Sequence, residues 1–319
     1  MDLSIIIVNW NSANYLKECL ASIFQYTKDV HFEIIVVDNA SFDGSREMIE
    51  KEFPGVKYVQ SHENGGFPRA NNLGFEHSSG RNLLFLNPDT KVIGTAVKVM
   101  LSSLESMPDA GAVGCRLLHS DLSLQLHSIQ RYPTVLNQIL DINFLKTRYP
   151  RWKLWGKRPL TMRGGSPQPV EVIPGACLMV KRDVFEQVGL FTEDYFMYAE
   201  DIDLCYKINQ TGRKVHFVDG AEVLHHGGGS SSAQASSFQN VLVRESVFKF
   251  ISRTRGSVSG LTYRIAMLLI AFSRLALLMV ALPPAALAGR AGRLRNTFCK
   301  WKSILRWSLG LEKWARELR

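Results

Sequence analysis

Paired cysteines are missing. The 319-residue chain holds five, Cys19, Cys115, Cys177, Cys205 and Cys299, scattered and with no paired spacing. That excludes a disulfide framework and a structural zinc site, and it fits a reducing compartment. A Gly-Lys-Ser/Thr phosphate loop is missing too, as is a G-x-G-x-x-G turn after the first strand, which disfavours a nicotinamide oxidoreductase. The chain start lacks the positive charge of a secretory leader: Asp2 runs straight into the strand pattern Leu3–Val8, so no secretory signal is expected there. Acids are scarce in one region. From Arg253 to Arg319 there are 13 Lys and Arg against two acids, Glu312 and Glu317, whereas the other 252 residues carry 25 against 27. The net charge of +9 therefore belongs to the tail. What is present, 46% hydrophobic residues and twelve prolines, describes a folded chain with room for one large domain or a domain plus an appendage.

The stretch from Asn82 to Thr90 organises the rest. Its apolar run, Leu83-Leu84-Phe85-Leu86, is too short for a helix and is expected as a strand buried on both faces. Pro88 cannot continue a ladder, so the chain leaves the sheet at Asn87-Pro88-Asp89. Ligands of open α/β sheets bind beyond the carboxyl ends of the strands, where Asp89 would stand, although an ordinary turn explains the tripeptide equally well. Two more strands end in polar residues: Leu3–Val8 in Asn9-Trp10-Asn11, and Phe32–Val37 in Asp38-Asn39. Between them Leu16, Leu20, Ile23 and Phe24 recur at helical spacing with Asn14 as N-cap, and Ser45 is placed to cap a short helix stopped by Pro54-Gly55. Val56–Val59 begins a further strand. This alternation predicts a mostly parallel sheet with one shared polar edge. The run Asn64-Gly65-Gly66-Phe67 then offers close backbone approach near a helix N-terminus, a weak anion signal.

Leu122, Leu124 and Leu126 alternate as in a half-exposed strand. Residues 131–169 break the pattern. Eight basic residues and one acid, Asp141, lie between Arg131 and Arg163 among Tyr132, Tyr149, Trp152 and Trp155. That suits a solvated connector, a flap over an anionic acceptor or a face on a membrane surface. Regular structure resumes from Val170 to Val180, around Pro174-Gly175. Asp183 and Glu186 have capping-box spacing for a helix that Gly189 ends. Leu204 and Ile208 anchor a helix from Glu200 to Gly212, with Glu200, Asp201 and Asp203 in its first turn. The helix dipole alone favours acids there. Three in four positions repel one another, however, which marks them for shifted pKa values and a chemical task. Lys214–Val218 is a last strand, followed by His225-His226-Gly227-Gly228-Gly229-Ser230, whose histidine pair is a metal candidate.

These motifs, in this order, resemble family 2 glycosyltransferases of the GT-A fold: Asn9-Trp10-Asn11, Asp38 to Ser45, Asn64 to Gly74, Leu86 to Asp89, Pro174-Gly175-Ala176, Gly189-Leu190-Phe191, Glu200 to Asp203 and His225 to Gly228. The likeness is nearest to bacterial rhamnosyltransferases that build O-antigen or cell-wall linkers, and it spans residues 3–232. It implies an α/β fold of GT-A type, a mixed, mostly parallel sheet flanked by helices in residues 1–235; residues 236–319, which it covers with less force, are expected from their composition to form a helical, membrane-associating segment. It implies a nucleotide-sugar donor, dTDP-rhamnose favoured, and a saccharide acceptor on a polyprenyl diphosphate, joined with inversion in one displacement. The family's Asp-x-Asp metal motif stands here as Asn87-Pro88-Asp89, leaving Asp89 to carry the charge of Mg²⁺ or Mn²⁺, with His225 completing the shell and His226 as the substitute. Asn9, Asn11, Asp38, Asn39, Gly65, Arg69, Asn72 and Asn87 fall where donor contacts fall. Asp201 matches the base, with Glu200 and Asp203 beside it to offset positive charge on the sugar. A polyprenyl-phosphate sugar synthase, or a sugar-nucleotide-binding scaffold without turnover, would share many of these features.

In the tail, Ile265–Leu282 is apolar apart from Ser273 and Arg274. Arg290–Arg319 combines nine Lys and Arg with Trp301, Trp307 and Trp314. That composition is expected of helices lying in a membrane interface, monotopic rather than spanning, on the cytoplasmic side, with no nucleic-acid partner.

Overall fold

In the computed structural model, which describes residues 1–125, 129–140, 148, 167–227, 237–287 and 291–318, the apolar runs become strands. In chain order these are β1 (Leu3–Asn9), β2 (Phe32–Asp38), β3 (Lys57–Gln60), β4 (Asn82–Leu86), β5 (Thr90–Val92), β6 (Ala110–Leu118), β7 (Gln168–Val170), β8 (Cys177–Lys181) and β9 (Lys214–His225). The helices are α1 (Ala13–Tyr26), α2 (Ser45–Glu52), α3 (Gly66–Glu76), α4 (Ala96–Ser106), α5 (Val135–Ile139), α6 (Arg182–Gln187), α7 (Glu200–Gln210), α8 (Ser237–Arg255), α9 (Ser257–Leu287), α10 (Ala291–Ser308) and α11 (Trp314–Glu317).

Among the described residues one sheet runs in the order β3-β2-β1-β4-β8-β6-β9-β5, with β7 also on β9. The β3-β2-β1-β4 half is parallel, and β8 is antiparallel to both β4 and β6. The chain winds outward from β1 through β2 to β3 and then returns to the other side of β1 with β4. The sheet thus reverses direction beside β1, the place where such sheets bind ligands. Every residue of β1 and β4 is buried, as strands covered on both faces must be. Side-chain alternation assigns the faces. Leu84 and Leu86 join Leu16, Leu20, Met100 and Leu104 of α1 and α4. Phe85 points the other way, 5.0 Å from the Phe185 ring and 4.8 Å from the Phe191 ring.

Several local expectations shift. Asn14 lies inside α1, whose N-cap position is Ser12, and Ser45 is the first residue of α2 behind Gly44 rather than its cap. Lys181, not Asp183, precedes α6. Leu122 adopts a positive φ of 62° in a turn, leaving only an isolated bridge between Leu118 and Leu124; Leu126 lies outside the described residues. So do most of the expected basic connector, including Asp141, Tyr149, Trp152 and Trp155, and the glycine run from Gly228. The strand after Lys214 reaches His225, well beyond Val218. The strands β5 and β6 and helix α4 had no recognised signal.

The described residues form two compact units. The first holds the sheet with α1–α4, α6 and α7. The second holds α5, Met197–Ala199 and α8–α11. In the second, Trp307 is 1% exposed and its indole N–H donates to buried Glu245 Oε2 at 2.7 Å. Arg264 lies over the Trp307 ring and donates to the carbonyls of Trp307 and Ser308, satisfying the end of α10. α9 includes 26 residues, Ser257–Leu282, long and apolar enough to cross a membrane by length and composition. Its inner positions Tyr263, Met267, Ala271 and Leu275 are buried, while Leu261, Ile265, Leu269 and Phe272 form an exposed apolar stripe.

Gly66 shows how tightly α3 is seated. Its φ is +84°, and a Cβ there would lie 2.3 Å from Phe196 O, the acceptor of the Phe67 N–H at 2.8 Å. Gly66→Ala is expected to destabilise by about 2 kcal/mol or more in urea unfolding, since left-handed backbone alone costs ~1–2 kcal/mol. Gly55→Ala, with open space around it, is the neutral control.

Candidate active site

The β1/β2 register sets Asn9 beside Asp38, and Asn9 Nδ2 donates to Asp38 Oδ2 at 3.0 Å. Ser45 Oγ donates to the same oxygen at 3.0 Å, while the Ser41 N–H and Gln60 Nε2 donate to Oδ1 at 2.7 and 3.1 Å. Burial by itself would raise the Asp38 pKa; these donors, the Ser41 N–H first, bring it below the ordinary carboxylate value. Asn11 accepts the Phe42 N–H at 3.0 Å, and its own N–H donates to Ser41 Oγ at 2.9 Å. Asn39 Nδ2 donates to Asn64 Oδ1 at 2.8 Å and Asn39 Oδ1 accepts the Gly65 N–H at 3.1 Å. Asn9, Asn11, Asp38, Asn39 and Gly65 thus gather at one edge, where their amides and carboxylate hold the loops to one another. Beside them opens a cleft of about 740 Å³ lined by Asn39, Glu63, Gly65, Arg69 and Asn72 among others. Arg69 pairs with Glu63 at 2.8 Å, both exposed. Asn72 clamps a distant segment, donating to Phe191 O and accepting the Phe191 N–H.

The tip of β4 meets the end of β9. Antiparallel pairing of β5 sets Thr90 opposite His225, and the His226 N–H donates to Asp89 O at 2.9 Å. His225 Nε2 lies 3.4 Å from Asp89 Oδ1. Its Nδ1 is 3.1 Å from Gln125 Oε1, while Gln125 Nε2 donates back to His225 O at 2.6 Å. An amide oxygen only accepts, so a ring proton belongs on Nδ1, and Nε2 is the atom turned to the carboxylate. With Nε2 deprotonated, this pair of atoms would suit a cation between them, with Gln125 orienting the imidazole. Asn87 Oδ1 is buried and without a hydrogen-bond partner among the described residues. Carboxylate, amide oxygen and imidazole suit Mg²⁺ or Mn²⁺, the imidazole leaning to Mn²⁺. No cluster of three or more His, Cys, Asp or Glu stands ready for a metal among the described residues, so most ligands would have to be substrate oxygens or water. His226 turns elsewhere, with Nδ1 2.9 Å from Ser120 Oγ and Nε2 3.4 Å from Glu18 Oε2.

The acids of α7 diverge. Asp201 Oδ2 accepts the Gly175 N–H at 2.9 Å and Oδ1 the Ile202 N–H at 2.8 Å. The next residue, Ala176, accepts the Asn87 N–H at 3.0 Å. One short loop therefore links the base candidate to the β4 tip. Glu200 is 6% exposed, and its Oε2 has no partner among the described residues. Burial, then the charge of Asp201, pushes the Glu200 pKa well up; burial also raises Asp201, whose N–H donors pull the other way. Asp203 is directed at Thr192 Oγ1, 2.6 Å, and Tyr195 OH, 3.3 Å. Tyr198 and Ala199, immediately before Glu200, both have positive φ, 69° and 65°, a strained entry of the kind concentrated at functional sites.

Residues 4–189 match the family model described as Glycosyl transferase family 2. The chain belongs to this family. It is 30% identical over 242 residues to the N-acetylglucosaminyl-diphospho-decaprenol L-rhamnosyltransferase of Mycobacterium tuberculosis, covering 70% of this chain and 76% of that one. It is 26% identical to the rhamnosyltransferase WbbL of Escherichia coli K12, over 79% of this chain and 93% of the relative. The mannosyltransferase PcManGT from Pyrobaculum calidifontis, solved with GDP-Man and Mn²⁺, has a similar fold, at a TM-score of 0.56 and 16% identity over 98% of this chain and 87% of that one. The protein is a glycosyltransferase with a GT-A-type sheet.

Gln125, which holds His225, carried no motif, and the Gly175 N–H, which holds Asp201, lay in a recognised motif but with no role read for it. A glutamine between leucines has no positional signature, and a backbone donor becomes visible only when the sheet is assembled. Asp38→Asn is expected to lower stability at pH 7 by about 2–3 kcal/mol, because donors that faced a charged acceptor would meet an amide. The folded pKa of Asp38 lies below its unfolded value of about 3.9, so its contribution is present above that pH and is lost as pH falls through the folded pKa. Urea titrations at pH 7 and near pH 3 should show the wild-type advantage shrinking.

Proposed function

We propose that this glycosyltransferase moves rhamnose from dTDP-rhamnose to a hydroxyl of a saccharide carried on a polyprenyl diphosphate, with inversion and with help from a divalent cation. The observation that carries this is the Gly175–Ala176 link, which ties Asp201 and the Asn87–Asp89 tip to the same loop. The mycobacterial relative, an N-acetylglucosaminyl-diphospho-decaprenol L-rhamnosyltransferase, supports the sugar and the acceptor class.

In this reading Asp201 takes the proton of the acceptor hydroxyl as that oxygen attacks the anomeric carbon; the bond to the donor diphosphate breaks, and its electron pair leaves on the diphosphate oxygen. The two N–H donors keep the Asp201 carboxylate oriented. Asp89 and His225, with Asn87 Oδ1, would hold Mg²⁺ or Mn²⁺, whose contribution is to neutralise the leaving charge. Burial and the neighbouring Asp201 charge favour the protonated form of Glu200, which offers a hydrogen bond rather than charge, and Asp203 positions the 192–195 segment. Asn9, Asn11, Asp38, Asn39, Gly65, Arg69 and Asn72 shape the donor pocket. The apolar stripe of α9 and the basic tail rest on the cytoplasmic membrane surface, the site of a lipid-linked acceptor.

Transfer assays with dTDP-[¹⁴C]rhamnose and a lipid-linked acceptor test it. Asp201→Asn should cut turnover by about 10²–10⁴-fold while donor binding persists, and Asp89→Ala should weaken metal-dependent donor binding. Near wild-type transfer by Asp201→Asn would overturn the assignment. A base with a raised pKa loses activity as pH falls through that raised value. Glu200→Gln should retain transfer, and its kcat/KM profile should show the acid limb at equal or lower pH; abolished transfer would make Glu200 the base instead.

A further inference from the structure

We infer that Arg244, Arg274 and Lys300 form a binding site for a diphosphate group, that of the lipid-linked acceptor. The choice of diphosphate rests on the acceptor class proposed above; the site itself rests on the second unit alone.

The three side chains come from α8, α9 and α10, three helices packed on one another. The Arg274 guanidinium lies 5.0 Å over the Trp301 ring, which seats it against α10 next to Lys300. Arg244 Nη1 donates to Gln138 Oε1 at 3.1 Å, a neutral partner. Lys300 is near enough to both arginines that their charges lower its ammonium pKa, after the larger effect of lost hydration. Among the described residues none of the three has a carboxylate ion-pair partner. Two other arginines of this unit have partners: Arg306 pairs with Glu312 at 2.6 Å, and Arg264 donates to helix-end carbonyls. Glu245, adjacent to Arg244 in sequence, is taken by Trp307.

Three cations held together without a counter-charge repel one another, and an anion with several oxygens converts that repulsion into charge-assisted hydrogen bonds. Guanidinium forks match phosphate geometry. The surroundings select an amphiphile. Phe272 and Leu277, flanking Arg274 on α9, are 67% and 70% exposed, and the stripe continues through Leu269 and Val280. A dianionic head followed by a hydrocarbon chain satisfies both features. An arginine at the border of the apolar stripe, one turn from exposed Leu277 and otherwise costly at a lipid surface, then has a task.

The full-length Arg274→Gln/Lys300→Gln variant provides the test, with its melting curve as a control for folding. With lipid-linked acceptor, KM for the acceptor should rise about tenfold or more, the loss of one charged hydrogen bond or more, while kcat and KM for the nucleotide-sugar stay unchanged. A water-soluble acceptor lacking the diphosphate should be used equally by both proteins, and Lys300→Arg should behave as wild type. Calorimetry with inorganic diphosphate in the presence of a chelator, which silences the metal-dependent donor site, should show binding to the wild type that is about tenfold weaker in the variant. Equal diphosphate affinity in the two proteins would overturn the site. Absent transfer to any lipid diphosphate, with the calorimetric difference intact, would sink the acceptor assignment while sparing the site. A variant that loses affinity for phosphatidylglycerol vesicles, with an unchanged acceptor KM, would make these cations a headgroup contact and overturn the acceptor role.

Discussion

The antiparallel pairing of β5 with β9 is the constraint on which the reactive end of this enzyme depends. Asp89 leaves β4 on a proline turn, and His225 closes a strand that enters the sheet far later in the chain. Only the register of Thr90 against His225 brings their side chains within 3.4 Å. Main-chain hydrogen bonds enforce that register, including His226 N–H to Asp89 O, so the approach of carboxylate and imidazole does not rely on flexible side chains alone. Gln125 then removes the remaining freedom of the ring.

The sheet imposes a comparable order on the acids of α7. Because β8 is inserted antiparallel beside β4, the loop that opens β8 lies against the β4 tip, and the Gly175 N–H meets Asp201. Neighbouring carboxyls thereby separate in role. Asp201 is given the Gly175 and Ile202 N–H donors, whereas one oxygen of Glu200 has no partner among the described residues, and a charge shared by two buried acids settles where the donors are more numerous. Asp203, a helical half-turn on, is spent on Thr192 and Tyr195. Of three acids close in sequence, topology leaves one held by backbone donors on the loop that also meets the β4 tip.

Much of this was legible in the sequence, and the limits have physical causes. The apolar runs of β1, β2 and β4 show because strands buried on both faces tolerate little else, and their polar ends marked the edge correctly. β5 is three residues long and follows a proline, so no periodicity could reveal it. The leucines at 122 and 124 alternate, yet a left-handed backbone at Leu122 turns the chain, an outcome that apolar spacing does not encode. The cap assignments failed for Asn14 and Ser45 because the Ser45 hydroxyl is claimed by Asp38 and the Ala13 N–H by Asp43, partners remote in sequence. The resemblance carried the asparagines as ligand contacts, whereas in the fold Asn11, Asn39 and Asn72 make their visible hydrogen bonds to other loops. A side chain that shapes a pocket and one that touches its contents look alike in one dimension.

β9 has a consequence of its own. Lys214–Val218 and Glu222–Leu224 pair with β6 on either side of a bulge at residues 219–221, and the opposite edge is shared between β7 at the start and β5 at the finish. The imidazole therefore rides on the far end of a strand held along both edges. Slackness introduced around Val215 or Phe217 would have to cross the bulge to reach Nε2, whereas slackness between Glu222 and Leu224 would reach it directly. Stiffness of the sheet and the aim of the His225 imidazole are, in this enzyme, one property.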